Sequence, residues 1–307
     1  MTLKPLLRAL PSDFEIVLAD IGSAGGLKDR WAPARSAVSA MLFEPRDGGE
    51  PRAEGRDMLY PVALGPEKGR ALLNLTALPN MSSTLQPNRA LLETFRKKGA
   101  HTKITGTLEM PVDTLDAVAA QAGRGVDAIK VDTQGSEIGR LEGARRCLAE
   151  TVILAEIEVS FFERYEGQAL FGDIETLMRA AGFELLDLYR LKRYRRLNRH
   201  GIGNVSLGAG QRAGRLAYGD ALFFLKETTL LERIRYGGGG ETLALKAILG
   251  LLVYGKADMA ARLFDETADL MDPARRARLA RYFGSIGRAF LRNNTIHHVL
   301  DYLDRHV

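Results

Sequence analysis

Two carboxylates lie at the ends of mostly apolar runs that are typical of buried strands. Asp132 directly follows residues 126–131, and Glu158 lies near the end of residues 151–159. Such strands are typical of a parallel sheet covered on both faces, and ligands of open α/β sheets bind beyond the carboxyl ends of the strands. Carboxylates at that edge can remove a proton from a substrate or jointly bind a divalent cation such as magnesium. We therefore predict that Asp132 and Glu158 are catalytic.

Each of these carboxylates also has a structural interpretation. Asp132 can cap the turn that follows its strand, and Glu158 can pair with a cation such as Arg164. The sequence leaves both roles open. It contains no His or Cys residues at metal-ligand spacing, so no metal ligands are assigned, and His297 and His298 are interpreted as surface residues.

A glycine-rich turn follows the first predicted strand, residues 15–19. The spacing is D-x-G-x-x-x-G, from Asp20 through Gly22 to Gly26. Glycines let a ligand approach the backbone closely, and N–H groups at a turn or helix start bind its polar groups. The spacing lacks the G-x-G-x-x-G fingerprint of dinucleotide-binding folds, so a nicotinamide dehydrogenase is a weaker hypothesis.

The next predicted strand, residues 37–43, ends at Glu44. This places an acid about twenty residues beyond the glycine turn, where a carboxylate can accept hydrogen bonds from both hydroxyls of an adenosine ribose. A solvated carboxylate at a strand end is the alternative. The turn and the acid together favour adenosine binding.

The elements that position these groups alternate between strands and helices. Further strands are predicted at residues 59–64, 102–110, 183–189 and 220–226, with helices at 91–98, 113–120, 170–181 and from Glu137 onward. Residues 75–88 are rich in Ser, Thr, Asn and Pro and predict an irregular loop. The last two strands have no clear helix between them, which indicates an antiparallel pair. The pattern predicts an α/β fold.

Composition places the chain among soluble globular proteins. It has 307 residues, of which 46% are hydrophobic and 26% charged, enough for one large α/β domain and a small appendage. No apolar run is long enough to span a membrane, and the N-terminal apolar run is too short for a signal peptide. The single cysteine, Cys147, falls in a predicted helix and is expected to be buried and inert. We predict a cytoplasmic protein.

Four glycines, residues 237–240, predict a flexible linker. Beyond them, helices are predicted at residues 243–253, 257–271, 273–291 and 295–306. We therefore predict a domain at residues 1–236 and a helical C-terminal extension at 237–307. An extension of this size is expected to dock on the main domain or on a second copy of the chain, which makes a homo-oligomer one expectation.

Positive charge is concentrated in one stretch. The formal net charge is +5, and residues 190–215 contain eight Lys or Arg and no Asp or Glu, which leaves −3 for the rest of the chain. We predict that Arg193, Arg195 and Arg196 bind the substrate. The stretch fits a phosphate-bearing substrate or an acidic membrane surface. Nucleic acid is less favoured, although the one tyrosine of the stretch, Tyr194, can stack on bases. A solvated loop or hairpin is the commonest fate of such a run.

Six segments together resemble the FkbM-type S-adenosylmethionine-dependent methyltransferases. They read ADIGSAGG (19–26), FEP (43–45), VDTLDAV (112–118), IKVDTQGSEIGRLEGA (129–144), EIEVSFFERYEGQALF (156–171) and GDALFFLK (219–226). The resemblance covers residues 14–226 in order, and the segment at 129–144 is its most specific part. The C-terminal tail lies outside it.

The resemblance implies a class I methyltransferase fold, which is Rossmann-like: a seven-stranded, mostly parallel sheet with one antiparallel strand. By position, Asp20, Gly22 and Gly26 would line the methionine side of the cofactor with Ser23 in the same loop, and Glu44 would hold the ribose. The family loop usually reads D-x-G-A-N-x-G, and Ser23 and Ala24 depart from it.

The function implied is methylation of a hydroxyl on a sugar or secondary metabolite, with S-adenosylmethionine as the methyl donor. The expected partner is a small-molecule or glycan acceptor. Asp132 and Glu158 would then act on the acceptor hydroxyl, as a general base or as ligands of a magnesium ion. A noncatalytic scaffold that keeps the fold is the alternative, and cofactor binding distinguishes the two.

Overall fold

The structure, a computed structural model, describes residues 2–23, 27, 29–203 and 212–292. Gly26, Ala24 and the predicted helix at residues 295–306, with His297 and His298, lie outside the described residues. None of the described helices combines the length and the hydropathy needed to cross a membrane.

Eleven strands and eleven helices are found in the described ranges. The strands are β1 (Ile16–Ile21), β2 (Val38–Phe43), β3 (Arg52–Glu54), β4 (Asp57–Tyr60), β5 (Ala63–Leu64), β6 (Gly69–Thr76), β7 (Ile104–Asp113), β8 (Ala128–Val131), β9 (Leu154–Ser160), β10 (Phe183–Tyr194) and β11 (Arg215–Leu225). The helices are α1 (Lys4–Leu7), α2 (Arg89–Leu92), α3 (Lys98–His101), α4 (Leu115–Gln121), α5 (Glu137–Glu142), α6 (Arg145–Glu150), α7 (Phe171–Ala180), α8 (Glu227–Arg235), α9 (Gly240–Val253), α10 (Ala257–Thr267) and α11 (Pro273–Arg292).

The main sheet has the order β10-β11-β9-β8-β1-β2-β4-β3. Strands β4, β2, β1, β8 and β9 pair in parallel, whereas β11 pairs antiparallel with both β9 and β10. The mostly parallel α/β sheet and the antiparallel pair at its edge are confirmed.

The main sheet has eight strands, so the predicted number of seven is wrong. The additional strand is β3, which pairs antiparallel with β4 at the edge of the sheet. All three of its residues are exposed. An exposed edge strand buries no apolar side chains, so the sequence has no hydrophobic pattern from which to predict it.

A second, three-stranded sheet has the order β5-β7-β6. The single strand predicted at residues 59–64 is divided between the two sheets, because β4 ends at Tyr60 and Ala63–Leu64 pairs with β7. Pro61 falls at the break, where a residue without an N–H group interrupts a ladder. β6 pairs antiparallel with β7.

The core surrounds the central strands. Every residue of β1, β2, β8 and β9 is buried, as expected for strands covered by helices on both faces. The same hydrophobic cluster includes Leu115 and Val118 of α4 and Ile174 and Met178 of α7. These strands are therefore rigid supports for the residues at their carboxyl ends.

The C-terminal helices share this core. Leu245, Ile248 and Leu249 of α9 are fully buried in the main hydrophobic cluster. The glycines before α9 form a short turn in which Gly237 and Gly239 donate backbone hydrogen bonds to the Arg233 carbonyl. They do not form an extended linker. The domain division at residue 236 and assembly through the tail stay predictions.

Candidate functional site

A cavity of about 500 Å³ lies beyond the carboxyl ends of the central strands. Its lining includes Gly22 and Glu44, which follow β1 and β2, as well as Asp132, Glu158 and Asp220. This volume is within the range of about 300–1,000 Å³ that is usual for small-molecule sites. The strand-end acids singled out in the sequence thus face one cavity.

The second sheet and an irregular segment form the remaining walls. Leu73 of β6 and Met110 of β7 line the cavity, together with much of residues 78–84. The segment is fastened to the rest of the site because the Tyr165 hydroxyl donates to the Met81 carbonyl at 2.9 Å, and the Ser83 hydroxyl donates to the Gln134 carbonyl at 2.7 Å. The predicted loop at residues 75–88 therefore covers the cavity.

Gly22 passes against the backbone of Asp132. A Cβ atom at Gly22 would lie 2.2 Å from the Asp132 carbonyl oxygen, and the φ angle of Gly22 is +82°. The N–H groups of Gly22 and Ser23 donate to the Phe43 carbonyl at 3.2 and 3.3 Å. Only glycine fits here, because the Asp132 backbone takes the space of a side chain and the φ angle is positive.

Asp20 lies behind this wall rather than in it. It is 0% exposed, and its Oδ1 lies 3.2 Å from Nζ of Lys130, which is 3% exposed. Lys130 Nζ also lies 3.7 Å from Asp132 Oδ2. Burial lowers the pKa of Lys130, but Asp20 and Asp132 outweigh it, so the pKa is raised and the lysine stays charged. Lys130 thus connects the glycine turn to Asp132.

Lys130 was not singled out from the sequence. The signal was present, because a lysine inside an otherwise apolar strand is buried on both faces and needs acidic partners. Ser23, the other predicted cofactor residue of this turn, is buried, and its hydroxyl has no hydrogen-bond partner in the described part of the chain.

Glu44 lines the cavity and is held by Arg46. Arg46 donates to Oε1 from Nε at 2.8 Å and from its backbone N–H at 3.1 Å, and to Oε2 from Nη2 at 2.7 Å. Burial raises the pKa of Glu44, but Arg46 outweighs it and the pKa is lowered. A carboxylate has about four acceptor positions. Glu44 is therefore ionised and keeps one acceptor position for a further donor.

The side chain of Gln134 lies between Asp132 and Glu158. Its Nε2 is 2.9 Å from Asp132 Oδ1 and 3.3 Å from both carboxylate oxygens of Glu158. Gln134 has a φ angle of +56°, which is uncommon for a residue other than glycine. The loop after β8 thus brings the two predicted catalytic acids together around one amide.

Glu158 is buried and paired with Arg164. The Arg164 Nη2 lies 2.5 Å from Glu158 Oε1, and its Nε donates to the Ser160 hydroxyl at 3.0 Å. The ion pair considered from the sequence is therefore present. Burial raises the pKa of Glu158 to about 8, against the opposing effect of Arg164 and with a further increase from Asp132 and Glu137.

Glu137 shapes the loop that carries these groups. It is buried, and its carboxylate accepts backbone hydrogen bonds from Thr133 at 2.9 Å and from Gly135 at 3.0 Å. Burial raises its pKa despite these donors and Arg164. Ser136, directly before α5, makes no capping hydrogen bond to the helix. Glu137 and Glu158 thus both depend on the charge of Arg164, a condition in which one of the two retains a proton easily.

Asp220 is a cavity residue that sequence reasoning missed. It lies opposite Glu158 in the antiparallel register of β11 and β9, and its Oδ2 is 3.2 Å from Arg190 Nη1. Burial and Glu156 raise the pKa of Asp220 to about 6, although Arg190 lowers it. The GDALFFLK segment was recognised as a strand, but its facing residues follow from register, which a single sequence does not reveal.

The basic stretch divides between the cavity and the outer surface. Residues 190–194 continue β10, and Arg190, Lys192 and Tyr194 line the cavity. Alternate residues of a strand face opposite sides, so Arg193 is directed away, and it donates to the Gly214 carbonyl at 3.2 Å.

The other two arginines predicted to bind substrate also lie outside the cavity lining. Arg195 is exposed. Arg196 is exposed as well, where it donates to the Thr94 hydroxyl at 2.7 Å and lies over the Phe95 ring. The cations of this stretch that reach the cavity are instead Arg190 and Lys192.

No metal centre is apparent in the described ranges, where no group of three or more His, Cys, Asp or Glu is placed to hold an ion. The cations nearest to the two predicted ligands of magnesium are Lys130, beside Asp132, and Arg164, beside Glu158. Cys147 is buried, and burial together with Asp116 raises its pKa to about 12, which makes the thiol unreactive.

Comparisons with known proteins agree with the resemblance. A sequence profile of the methyltransferase FkbM domain matches residues 28–185, more than half of the 307-residue chain. A sequence search of curated proteins gave no significant match.

Two solved structures are similar at low identity. The methyltransferase FkbM from Methylobacillus flagellatus KT is 14% identical with a TM-score of 0.35, and the match covers 70% of this chain and 44% of that one. Magnesium protoporphyrin IX methyltransferase (ChlM) from Synechocystis PCC 6803 with bound SAM is 9% identical with a TM-score of 0.30, and the match covers 73% and 78%. This chain thus spans less than half of the first of these structures. On the strength of the domain match, the chain belongs to the FkbM methyltransferase family.

Proposed function

We propose that this protein transfers a methyl group from S-adenosylmethionine to a hydroxyl oxygen of a small-molecule acceptor, such as a sugar or a secondary metabolite. The observation that carries the proposal is that Gly22 and Glu44 line the same cavity as Asp132 and Glu158. Residues suited to the cofactor and residues suited to proton removal thus share a space of small-molecule size.

Gly22 and Glu44 fit the cofactor. Both line the cavity, and Glu44 is an ionised acceptor with a free position for a ribose hydroxyl. Ser23, next to Gly22, lies outside the cavity lining, and its buried hydroxyl has no partner among the described residues. When bound, S-adenosylmethionine supplies an electrophilic methyl group. The protein has to orient it and keep water away from it.

Asp132 and Glu158 fit the removal of a proton from an acceptor hydroxyl. A general base works best when its pKa lies near the working pH. Glu158 meets this condition, since burial and its acidic neighbours raise its pKa to about 8. Asp132 lies beside the same Gln134 amide and is more exposed, so we assign it to hold the acceptor hydroxyl toward Glu158.

Cations in the cavity wall favour an acceptor that also carries a negative charge. Lys98 and Lys192 line the cavity, and neither has a carboxylate partner in the described part of the chain. Lys98 Nζ lies 4.2 Å from the centre of the Tyr194 ring, and burial together with Arg164 lowers its pKa. A phosphate or carboxylate group on the acceptor would relieve this excess of positive charge.

The test has two stages. Calorimetry with S-adenosylhomocysteine measures cofactor binding, and transfer of a labelled methyl group to a panel of neutral and phosphorylated hydroxyl compounds measures activity. We expect S-adenosylhomocysteine to bind and Glu44→Ala to weaken that binding. In the transfer assay we expect methylation of an anionic hydroxyl compound. A folded protein that binds no cofactor would contradict the proposal and favour the scaffold alternative.

A further inference from the structure

The tip of the β10–β11 hairpin carries a dense group of exposed cations. Arg193, Arg195, Arg196 and Arg199 are all exposed. The neighbouring segment adds Arg96 and Lys97, which are also exposed. The two segments are joined through the backbone, because Arg96 N–H donates to the Arg195 carbonyl at 3.0 Å and Leu197 N–H donates to the Thr94 carbonyl at 2.8 Å. We call these six residues, with Leu197 and Ile202, the hairpin surface.

Large aliphatic side chains are held out among these cations. Leu197 and Ile202 are each 58% exposed, and Leu191 of β10 is 39% exposed. The turn between Leu197 and Ile202 is closed by Asn198, whose Oδ1 accepts from Ile202 N–H at 3.1 Å and whose Nδ2 donates to the Ile202 carbonyl at 2.7 Å. The fold thus presents these aliphatic groups to the outside.

The aromatic side chain of the stretch is withdrawn from this surface. Tyr194 is 2% exposed, and its ring packs edge-on against Phe95 and Phe162. Sites for single-stranded nucleic acid use exposed aromatic rings on which bases stack. Binding at a lipid interface instead combines Lys and Arg, which attract anionic headgroups, with apolar side chains that enter the acyl boundary. The hairpin surface has the second combination.

We propose that the hairpin surface docks on an anionic lipid bilayer. The arginines and Lys97 contact the headgroups, and Leu197 and Ile202 enter the interface. Docking itself requires no methyl transfer and is tested without it.

The experiment is co-sedimentation of the whole protein with vesicles of phosphatidylcholine alone or with phosphatidylserine added. Lys97→Gln, Arg195→Gln and Arg199→Gln are combined in one variant, because none of these side chains supports another element through a hydrogen bond or ion pair in the described ranges. Each basic residue near an anionic membrane contributes about 1 kcal/mol to binding, and about 1.4 kcal/mol changes a binding constant tenfold. Loss of three charges should therefore lower partitioning of the protein onto the vesicles on the order of 100-fold.

A second variant, Leu197→Ser with Ile202→Ser, keeps every charge. We expect it to lose about tenfold in partitioning and to become more sensitive to salt, because only the screened electrostatic part remains. Unchanged melting temperatures show that both variants fold.

The matched control removes three exposed arginines from α11, Arg276, Arg281 and Arg288, and so has the same net charge as the first variant. It should bind vesicles like the unmodified protein. The proposal is overturned if the control loses as much binding as the hairpin variant, if vesicles without phosphatidylserine bind equally well, or if single-stranded RNA binds through the same residues and vesicles do not.

Discussion

Asp132 and Glu158 accept hydrogen bonds from the same amide nitrogen, Nε2 of Gln134, at 2.9 Å and 3.3 Å. The backbone carbonyl of Gln134 accepts from the Ser83 hydroxyl of the segment that covers the cavity. A single residue in a left-handed conformation thus fixes the spacing of both acids and their position relative to the cover.

Gln134 is therefore expected to act as a positioning residue. Gln134→Ala removes the shared donor and should lower kcat on the order of 10²-fold, since misplacement of a reacting group by about 1 Å has an effect of this size. The affinity for S-adenosylhomocysteine should change little, because Glu44 is untouched. The measurement is kcat and KM together with calorimetry.

The control for this substitution is Gln121→Ala, at an exposed position at the end of α4. It should leave kcat unchanged. A Gln134→Ala variant in which only the KM of the cofactor rises would assign Gln134 to cofactor binding instead.

The neutral variants Asp132→Asn and Glu158→Gln test the acids directly. Each keeps the size of the side chain and removes its charge, so kcat should fall by roughly 10²–10⁴ if the residue serves proton transfer. Circular dichroism and the melting temperature monitor the fold, since Glu158→Gln also leaves Arg164 without its anion. Near-normal turnover in both variants would make the acids structural.

The pH dependence of kcat should reflect the ionisation of Glu158. Burial raises its pKa to about 8, with Asp132 and Glu137 adding to the rise and Arg164 opposing it. A base is active only when deprotonated, so kcat should be low below this pH and reach a plateau above it. Glu158→Gln should remove the inflection. If the inflection persists unchanged in Glu158→Gln, it belongs to another group. Asp220, with a pKa of about 6, would give an inflection at a lower pH.

Much of the fold follows from the sequence because buried strands and amphipathic helices leave periodic patterns. The strands that end at Asp132 and near Glu158 are fully buried, and their apolar runs made them visible. The glycine turn and Glu44 were recognisable for a similar reason, since both directly follow such strands.

The remaining features depend on register and on contacts distant in sequence. Asp220 faces the cavity through the pairing of β11 with β9, and Gln134 joins two acids through a loop conformation. Arg190 and Lys192 line the cavity and Arg193 does not, because side chains alternate between the two sides of β10. The strand predicted from the sequence ends earlier, at residue 189. None of these relationships leaves a periodic signal in one sequence.

Glu44 provides a test of the cofactor side. Glu44→Ala removes an ionised acceptor from the cavity and should weaken binding of S-adenosylhomocysteine by about 1–3 kcal/mol, the range for hydrogen bonds to a charged group. Calorimetry gives the affinity. Asp47→Ala, an exposed acid on the same turn, is the matched control and should bind normally. Equal affinities in the two folded variants would remove Glu44 from the site.

An ion pair ties the C-terminal helix α9 to the central sheet. Lys246 of α9 lies 2.8 Å from both carboxylate oxygens of Asp127, which also accepts from the Val17 N–H of β1. Lys246→Met leaves Asp127 partly buried without its cation and should lower the free energy of unfolding by about 1–3 kcal/mol. Lys256→Met, in a more exposed pair with Asp187, is the control and should cost less than about 1 kcal/mol.

The loss of unfolding free energy in Lys246→Met should increase with pH. Burial raises the pKa of Asp127 even with Lys246 present, and removal of the lysine raises it further. A carboxyl with a raised pKa binds a proton more readily in the folded state, so its contribution to stability falls as the pH rises above the unfolded value. The deficit of Lys246→Met, measured by urea unfolding, should therefore be larger at pH 8 than at pH 5. An equal deficit at both values, or one no larger than that of Lys256→Met, would mean that the Asp127–Lys246 pair does not hold α9 against the sheet.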